Sequence, residues 1–248
     1  MTGPPLGQHF LIRRAILARL AEAACPERES LVIEIGPGRG ALTRFLLERA
    51  ERVVAIEIDP RLAAEVRQKF RGEGRLEVVC ADVLATPLMQ WGPAVVAGNL
   101  PYYITSPVLE RICRMGPLLK RAVLLVQEEV ARRLAASPGS RAYGLLTVRT
   151  LLFAHPELLF TVPAAAFRPP PKVRSAAVRL TPRQTGEDPG PLLEFAARCF
   201  RQKRKTLRNN LAPYYGARIE RQPEARLRAE QLSLEQLLAL WARLEESG

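Results

Sequence analysis

Short apolar runs alternate with segments of helical periodicity along the first half of the chain. The runs are five to seven residues long, rich in Val, Ile, Leu and Ala, and predict strands at 31–35, 52–58, 76–80, 94–98 and 122–127. Apolar residues at helical spacing predict helices around these strands, at 12–24, 41–50, 61–70, 107–115 and 128–136. Strands and helices that alternate in this way are typical of a doubly wound parallel sheet.

The pattern changes after the turn-rich residues 137–140. We predict a helix at 144–154 and two strands at 158–162 and 173–180. A polar Gly- and Pro-rich linker follows at 184–191, and two helical stretches are predicted at 192–211 and 233–246. Ser233 and Gln236 have the spacing of a capping box at the start of the last helix. We therefore predict a Rossmann-like α/β domain over residues 1–183 and a small all-helical C-terminal domain over residues 184–248.

A glycine-rich turn with the sequence EIGPGRG follows the first predicted strand, at residues 34–40. Its glycines allow a sharp turn and the close approach of a ligand, which the next helix N-terminus would face. A dinucleotide-binding loop has the spacing G-x-G-x-x-G, whereas this chain has G-x-G-x-G after an acidic residue. The spacing favours S-adenosylmethionine over NAD, because S-adenosylmethionine has no pyrophosphate to bind.

Two carboxylates stand at the ends of the next two predicted strands. Glu57 is placed to accept the ribose hydroxyls of a nucleoside, and Asp82 is placed to accept a hydrogen bond from its adenine amine. Carboxylates at strand ends are also often solvated turn residues. Their occurrence at successive strand ends behind the glycine-rich turn favours a role in donor binding.

The sequence Asn99-Leu100-Pro101-Tyr102 ends the fourth predicted strand. The exocyclic amine of a nucleobase is a poor nucleophile, because its lone pair is delocalised into the ring. The Asn99 side-chain oxygen and the Leu100 carbonyl can accept hydrogen bonds from that amine, Pro101 fixes the backbone direction, and Tyr102 offers a stacking face. These residues predict methyl transfer to a base amine by direct displacement, with no strong general base.

The chain has 37 basic and 25 acidic residues and a net charge of +12, which favours a polyanionic partner, although basic proteins are common. Basic residues without any acidic neighbour cluster at 158–186 and 201–208. From these clusters we predict RNA contacts by Arg168, Lys172, Arg174, Arg201, Lys203, Arg204, Lys205 and Arg208. For the second cluster, a solvated helix face is the alternative.

The four cysteines and two histidines show no metal-ligand or disulfide pattern, so we expect no metal and reduced thiols. No apolar run approaches the roughly 20 residues that span a bilayer. The first residues lack the basic-then-apolar pattern of a signal peptide. We therefore expect a soluble cytoplasmic protein, and a monomer.

Several separated motifs resemble those of the ribosomal RNA adenine N6-dimethyltransferases, over nearly the whole chain. They lie at residues 7–11, 34–43, 99–102, 125–131, 167–175 and 204–211. The chain departs from the family at His9, where the family often has Asn, and in its short uncharged start. The resemblance implies an S-adenosylmethionine-dependent enzyme of the branch that methylates two adjacent adenosines near the 3′ end of small-subunit (16S) rRNA and serves ribosome biogenesis.

The resemblance also implies roles for individual residues. Phe167 would sandwich the target adenine together with Tyr102. The donor would be bound by Gln8, His9, Leu11, Glu34, Gly36, Gly38, Glu57, Ile58, Asp82, Val83 and Asn99.

Three other functions remain open at this stage. A small-molecule N-methyltransferase would share the donor loop but would not need the basic clusters. A macrolide-resistance methyltransferase of the same superfamily would act on naked large-subunit rRNA, although the motif at 204–211 favours the small-subunit branch. A ribosome-assembly factor would act mainly by binding, which is compatible with an active enzyme.

Overall fold

The computed structural model describes residues 9–183 and 189–246. The strands are β1 (Phe10–Leu11), β2 (Val32–Ile35), β3 (Val53–Glu57), β4 (Leu76–Cys80), β5 (Ala94–Asn99), β6 (Leu119–Gln127), β7 (Ala154–Val162), β8 (Phe167–Arg168) and β9 (Ser175–Pro182). The α-helices are α1 (Arg14–Ala24), α2 (Ala41–Leu47), α3 (Pro60–Lys69), α4 (Thr105–Cys113), α5 (Glu128–Leu134), α6 (Leu145–Phe153), α7 (Gly190–Cys199), α8 (Leu207–Tyr215), α9 (Ala217–Glu220) and α10 (Leu234–Glu246).

The central sheet has the strand order β4-β3-β2-β5-β6-β9-β7. Strands β2, β3, β4, β5 and β6 pair in parallel, which confirms the Rossmann-like sheet predicted from the alternating pattern. Strand β9 pairs antiparallel with β6, so the complete sheet is mixed. The chain order reverses at β2, with β3 on one side and β5 on the other. The crevice at the carboxyl ends of these strands is the usual ligand site of such a sheet.

The middle of the sheet is buried. Every residue of β2 and β3 is buried, as are the first five residues of β5. Strands covered on both faces contain continuous apolar runs, which is why these strands were recognisable from the sequence. Leu20 of α1 and Leu46 of α2 pack with Val53 and Val95 in one core.

The chain forms two compact units. Among the described residues, the first unit contains those up to Ala131 and His155–Pro182, and the second contains Arg132–Ala154 and those from Arg183 onward. The sequence-based division at 183/184 differs from this, because it placed residues 132–154 in the first domain. Val148 and Leu152 of α6 instead share a core with residues of α7, α8 and α10. Local periodicity cannot show which core a helix joins.

The C-terminal unit also differs from its prediction in one connection. The stretch predicted as helical at 192–211 consists of α7 and α8, separated by residues 200–206. In the predicted linker, residues 184–188 lie outside the described part of the chain, and α7 begins at Gly190. The capping box is confirmed: the Ser233 N–H donates to Gln236 Oε1 at 2.9 Å, and the Gln236 N–H donates to Ser233 Oγ at 3.3 Å. Across residues 9–183 and 189–246, no helix combines the length and apolar character needed to cross a membrane.

Candidate active site

A cavity of about 370 Å³ lies in the first unit, at the carboxyl ends of β2, β3 and β5. This volume is within the range of about 300–1,000 Å³ that small-molecule sites occupy. Most of the predicted donor and target residues line it: His9, Leu11, Glu34, Gly36, Gly38, Glu57, Ile58, Asp82, Val83, Asn99, Leu100, Pro101 and Tyr102. Gln8 lies outside the described residues, and Phe167 does not line the cavity.

The turn between β2 and α2 forms one wall of the cavity. Gly38 has a φ of +57°, and a Cβ at this position would lie 3.0 Å from two carbon atoms of the Phe10 ring. The Gly38 N–H donates a hydrogen bond to Glu57 Oε2 at 3.0 Å. Glycine is required here for both its conformation and its lack of a side chain, because the N-terminal segment packs directly on the turn.

Glu57 lies at the point where the turn meets β3. Its two carboxylate oxygens accept the N–H groups of Gly38 and Asp59, both at 3.0 Å. A carboxylate has about four acceptor sites, so these two bonds leave capacity for the two hydroxyls of a ribose.

Next to Glu57 the cavity wall combines an apolar surface with a further carboxylate. Ile58 is 51% exposed, which is unusual for an isoleucine and provides a flat surface for an aromatic ring. Asp82 follows β4, and its Oδ1 accepts the Leu84 N–H at 2.8 Å, which fixes the direction of the carboxylate. The set of Glu57, Ile58 and Asp82 fits a purine nucleoside.

Glu34 is the buried carboxyl group of the site, with 1% of its surface exposed. Burial raises its pKa to about 7, and the neighbouring charge of Glu57 adds to the shift, against the lowering effect of Thr43. The Thr43 hydroxyl donates to Glu34 Oε2 at 2.6 Å, which ties α2 to the end of β2. Glu34 therefore keeps its proton to a higher pH than an ordinary carboxyl group does.

Residues 9–12 cross the cavity and are paired with a distant part of the chain. Phe10 pairs with Arg168, and Leu11 pairs with Phe167, in an antiparallel ribbon. The Ile12 N–H donates to the Ala166 carbonyl at 2.9 Å. The His9 Nδ1 bonds to the Pro169 carbonyl at 2.8 Å. Residues 9–11 of the motif at 7–11 therefore belong to the cavity wall, and the strand with which they pair was not predicted.

The end of β5 carries the predicted catalytic residues. The Asn99 Nδ2 donates to the His9 backbone carbonyl at 2.9 Å, which leaves Oδ1 as the acceptor atom of this side chain. The Leu100 N–H donates to the Leu125 carbonyl at 3.0 Å, which holds the loop on β6. Sequence reasoning missed Gly98, where a Cβ would lie 2.5 Å from the Ile35 carbonyl oxygen. Only glycine allows the ends of β2 and β5 to approach this closely.

Of the two predicted stacking residues, only Tyr102 lies at the cavity. Phe167 is 3% exposed and belongs to the hydrophobic core of the first unit. Phe167 pairs with Leu11, which belongs to the same core. The place of Phe167 beside the target base stays a prediction.

Comparison with known proteins agrees with the chemistry of the cavity. Residues 4–245 match the sequence profile described as ribosomal RNA adenine dimethylase. The chain belongs to this family. Ribosomal RNA small subunit methyltransferase A of Acidobacterium capsulatum is 44% identical to it over 258 aligned residues, covering 98% of this chain and 91% of the relative.

Two solved structures are also similar over nearly the whole length. A dimethyladenosine transferase from Plasmodium falciparum has a TM-score of 0.84 at 29% identity, covering 97% of this chain and 98% of that one. The 23S rRNA methyltransferase ErmE has a TM-score of 0.77 at 33% identity, covering 95% and 99%. The fold and the family are thus those of Rossmann-like methyltransferases that modify rRNA.

In this rRNA adenine dimethylase, the predicted RNA-binding residues of the first unit differ in their surroundings. Arg168 and Lys172 are exposed and have no ion pair among the described residues. Arg174 is also exposed, but its Nε lies 2.7 Å from Glu128 Oε2. An arginine already paired with a carboxylate has less to gain from a phosphate than the unpaired Arg168 and Lys172 have.

In the second unit most of the basic cluster lies on a connection, and Arg208 lies on a helix. Residues 201–205 between α7 and α8 are all exposed, while Arg208 on α8 forms an ion pair with Glu220 at 2.8 Å. Asn210, which is 3% exposed, fixes this connection: its Nδ2 donates to the carbonyls of Cys199 and Gln202 at 2.8 and 3.2 Å, and its Oδ1 accepts the Gln202 N–H at 3.2 Å. Sequence reasoning did not single out Asn210.

Proposed function

We propose that this chain transfers methyl groups from S-adenosylmethionine to the N6 amines of two adjacent adenosines near the 3′ end of 16S rRNA, and that it thereby serves small-subunit biogenesis. The orientation of Asn99 carries the proposal. Its Nδ2 is engaged by the His9 carbonyl, so its Oδ1 is the group available to an amine in the cavity. The name of the Acidobacterium capsulatum relative supports the small subunit as the target.

At the acceptor end, the loop prepares the amine for attack. Two acceptors, the Asn99 Oδ1 and the Leu100 carbonyl, bind the two N–H groups of adenine N6 and draw its lone pair out of conjugation with the ring. Tyr102 stacks on the extruded base. A base held in this way has lost most of its orientational freedom before the reaction begins.

At the donor end, the strand-end residues bind the nucleoside part of the methyl donor. Glu57 accepts the ribose hydroxyls, Asp82 accepts the adenine amine, and Ile58 and Val83 cover the ring. S-adenosylmethionine, when bound, supplies a methyl group already activated on a sulfonium. The residues around it orient the two reactants in line and exclude water, and none has to act as a strong base.

The binding partner of this chain and its location in the cell follow from the same proposal. Exposed cations on both units, among them Arg168, Lys172, Arg204 and Lys205, would bind the phosphates of small-subunit rRNA. An enzyme of pre-ribosomal particles would be cytoplasmic in a bacterium. We propose that it acts as a monomer and without a metal ion.

Methyl transfer to defined RNA substrates tests the proposal. Tritiated S-adenosylmethionine is incubated with small ribosomal subunits that lack adenine dimethylation, and in parallel with naked large-subunit rRNA. Label recovered as N6,N6-dimethyladenosine from the small subunit is the expected result. Label on the large-subunit RNA alone would move the chain to the activity named for ErmE. Absence of label on both RNAs, with donor binding intact, would contradict rRNA methylation.

The RNA contacts are tested by the salt dependence of binding. Each lost phosphate contact lowers the slope of log affinity against log salt by about 0.7–0.9. Lys205→Glu is therefore expected to lower both the affinity for small subunits and this slope. Arg71→Glu is the matched control, because Arg71 is exposed in the turn before β4 and belongs to neither basic cluster. Equal slopes for the two variants would remove Lys205 from the RNA interface.

A further inference from the structure

Tyr102 is held at both ends by groups outside the loop that carries it. Its hydroxyl shares a hydrogen bond of 2.8 Å with Ser175 Oγ. Its ring lies 5.9 Å from the His9 ring at an interplanar angle of 32°. Ser175 is fully buried at the first position of β9, so water cannot replace this hydrogen bond. Ser175 does not line the cavity and has no part in the chemistry described above.

We propose that Ser175 is a positioning residue for methyl transfer, and that its hydroxyl fixes the position of the Tyr102 ring on which the target base stacks. This inference rests on the proposed function, because it requires a base to be stacked on Tyr102. It concerns how well the base is aligned and not whether the donor binds.

The two ends of this hydrogen bond differ in rigidity. Ser175 pairs with Gln127 in the ladder between β6 and β9, so its backbone is part of the central sheet. Tyr102 begins a single turn of 3₁₀ helix, 102–104, directly after Pro101. The side chain of a tyrosine on a loop is restrained little by its backbone. Because the phenolic oxygen lies on the axis of the ring torsion, a hydrogen bond from the sheet to this oxygen fixes the direction of the ring axis and thereby the place of the ring. The neighbouring His9 ring limits rotation about that axis.

The alignment required is narrow. Productive geometries are held to about 10–20° by groups outside the reacting centre. Burial raises the pKa of the Tyr102 hydroxyl, so the phenol is neutral at physiological pH and the hydrogen bond to Ser175 persists over the working range. On the other side of the ring, His9 is itself fixed by the Pro169 carbonyl. The ring is thus enclosed between a sheet hydroxyl and an anchored imidazole.

A purely structural role for Ser175 makes a different prediction. A buried serine that only satisfies its hydrogen bond would lower stability when replaced, with no special relation to the Tyr102 hydroxyl. A positioning serine acts through that hydroxyl. The effect of removing it must therefore disappear when the tyrosine hydroxyl is already absent.

The experiment is a double-mutant cycle with wild-type protein, Ser175→Ala, Tyr102→Phe and the double variant. Single-turnover methyl transfer to small subunits and donor Kd are measured for each. We expect each single variant to lower the transfer rate about three- to ten-fold, and the double variant to be no slower than the slower single one. Donor Kd is expected to stay within about twofold of wild type, since the two hydroxyls bond each other and not a predicted donor residue.

Thr150→Val is the matched control for loss of a buried hydroxyl. Thr150 is 3% exposed, and its hydroxyl donates to the Leu146 carbonyl at 2.9 Å within the second unit. Its replacement is expected to lower stability and leave the transfer rate unchanged. A rate loss equal to that of Ser175→Ala would show that destabilisation alone slows the enzyme.

Three outcomes would overturn the inference. They are full activity of Tyr102→Phe, rate losses that multiply in the double variant, and a Ser175→Ala defect confined to donor Kd. Tyr102→Phe keeps the ring and can be tested even if Ser175→Ala does not fold. Failure of the proposed function is separate, because wild-type protein would then label no small subunit.

Discussion

Replacement of Gly38 by alanine tests how tightly the N-terminal segment closes on the donor loop. The substitution adds one methyl group at a residue with a φ of +57°, 3.0 Å from two carbon atoms of the Phe10 ring. It keeps the backbone N–H that donates to Glu57. The perturbation therefore has two parts, which are backbone strain and overlap with Phe10.

A free-energy cost can be assigned to the backbone strain and to the overlap with Phe10. A left-handed conformation costs an L-residue about 1–2 kcal/mol. Relief of the overlap requires the ring to move by a few tenths of an ångström toward an ordinary contact of 3.4–4 Å. Overpacking of this kind typically costs about 1–3 kcal/mol. Since Phe10 lies between His9 and Leu11, which also line the cavity, we expect donor Kd to rise about tenfold, equivalent to about 1.4 kcal/mol.

Gly116→Ala separates the two parts. Gly116 has a φ of +54°, lies between α4 and β6, and a Cβ there would meet nothing within 4 Å. Urea unfolding is expected to show a loss of about 1–2 kcal/mol from backbone strain in both variants. Isothermal titration with S-adenosylmethionine is expected to show weakened binding for Gly38→Ala alone. Wild-type donor affinity in Gly38→Ala would refute the closure of Phe10 on the loop.

Three further predictions concern other parts of the site. Asn99→Ala removes the acceptor for the target amine, so single-turnover methyl transfer should fall at least about 100-fold while small-subunit binding persists; an unchanged rate would contradict the acceptor role. Because the pKa of Glu34 is raised to about 7 in the folded state, its ionisation lowers stability as pH rises from about 5 to 8. The free energy of unfolding of Glu34→Gln, measured with urea, should therefore exceed that of wild type by an amount that grows by on the order of 3 kcal/mol over this pH range. Parallel pH profiles of the two proteins would be inconsistent with a raised Glu34 pKa. Asn210→Ala removes three hydrogen bonds from the connection after α7, so it should cost about 2–3 kcal/mol of unfolding free energy and weaken RNA binding in filter assays, with donor Kd unchanged as the internal control.

The parallel part of the sheet was predictable because its strands are buried on both faces. Strands β2 to β6 were each located within a few residues, since short continuous apolar runs between amphipathic helices are typical of buried parallel strands. The antiparallel direction of β9 and the membership of α6 in the second unit were not predictable. Both depend on packing between segments far apart in sequence, and the local pattern of a strand or helix is the same in either arrangement.

The residues of the site divide in the same way, into those that the local sequence indicates and those that depend on contacts between distant segments. Glu57 and Asp82 were found because a strand end in this fold is a known position relative to the ligand. The burial of Phe167 was not predictable, because its pairing with Leu11 joins segments that are far apart in the sequence. Ser175 and Asn210 lie inside the motifs at 167–175 and 204–211, but their contacts were not predictable, since the partner of a buried hydroxyl or amide is known only from the group it meets in the fold.

The arrangement of residues 9–12 implies that donor binding and turnover depend on one segment. Phe10 packs on the donor loop at Gly38, while the adjacent His9 carbonyl accepts the Asn99 amide that orients the acceptor oxygen. A displacement of Phe10 must therefore disturb Asn99, because only one peptide unit separates the two contacts. Gly38→Ala should accordingly lower the transfer rate at saturating donor as well as donor affinity. A substitution of Asp82, which has no such connection to the segment, should affect donor affinity alone.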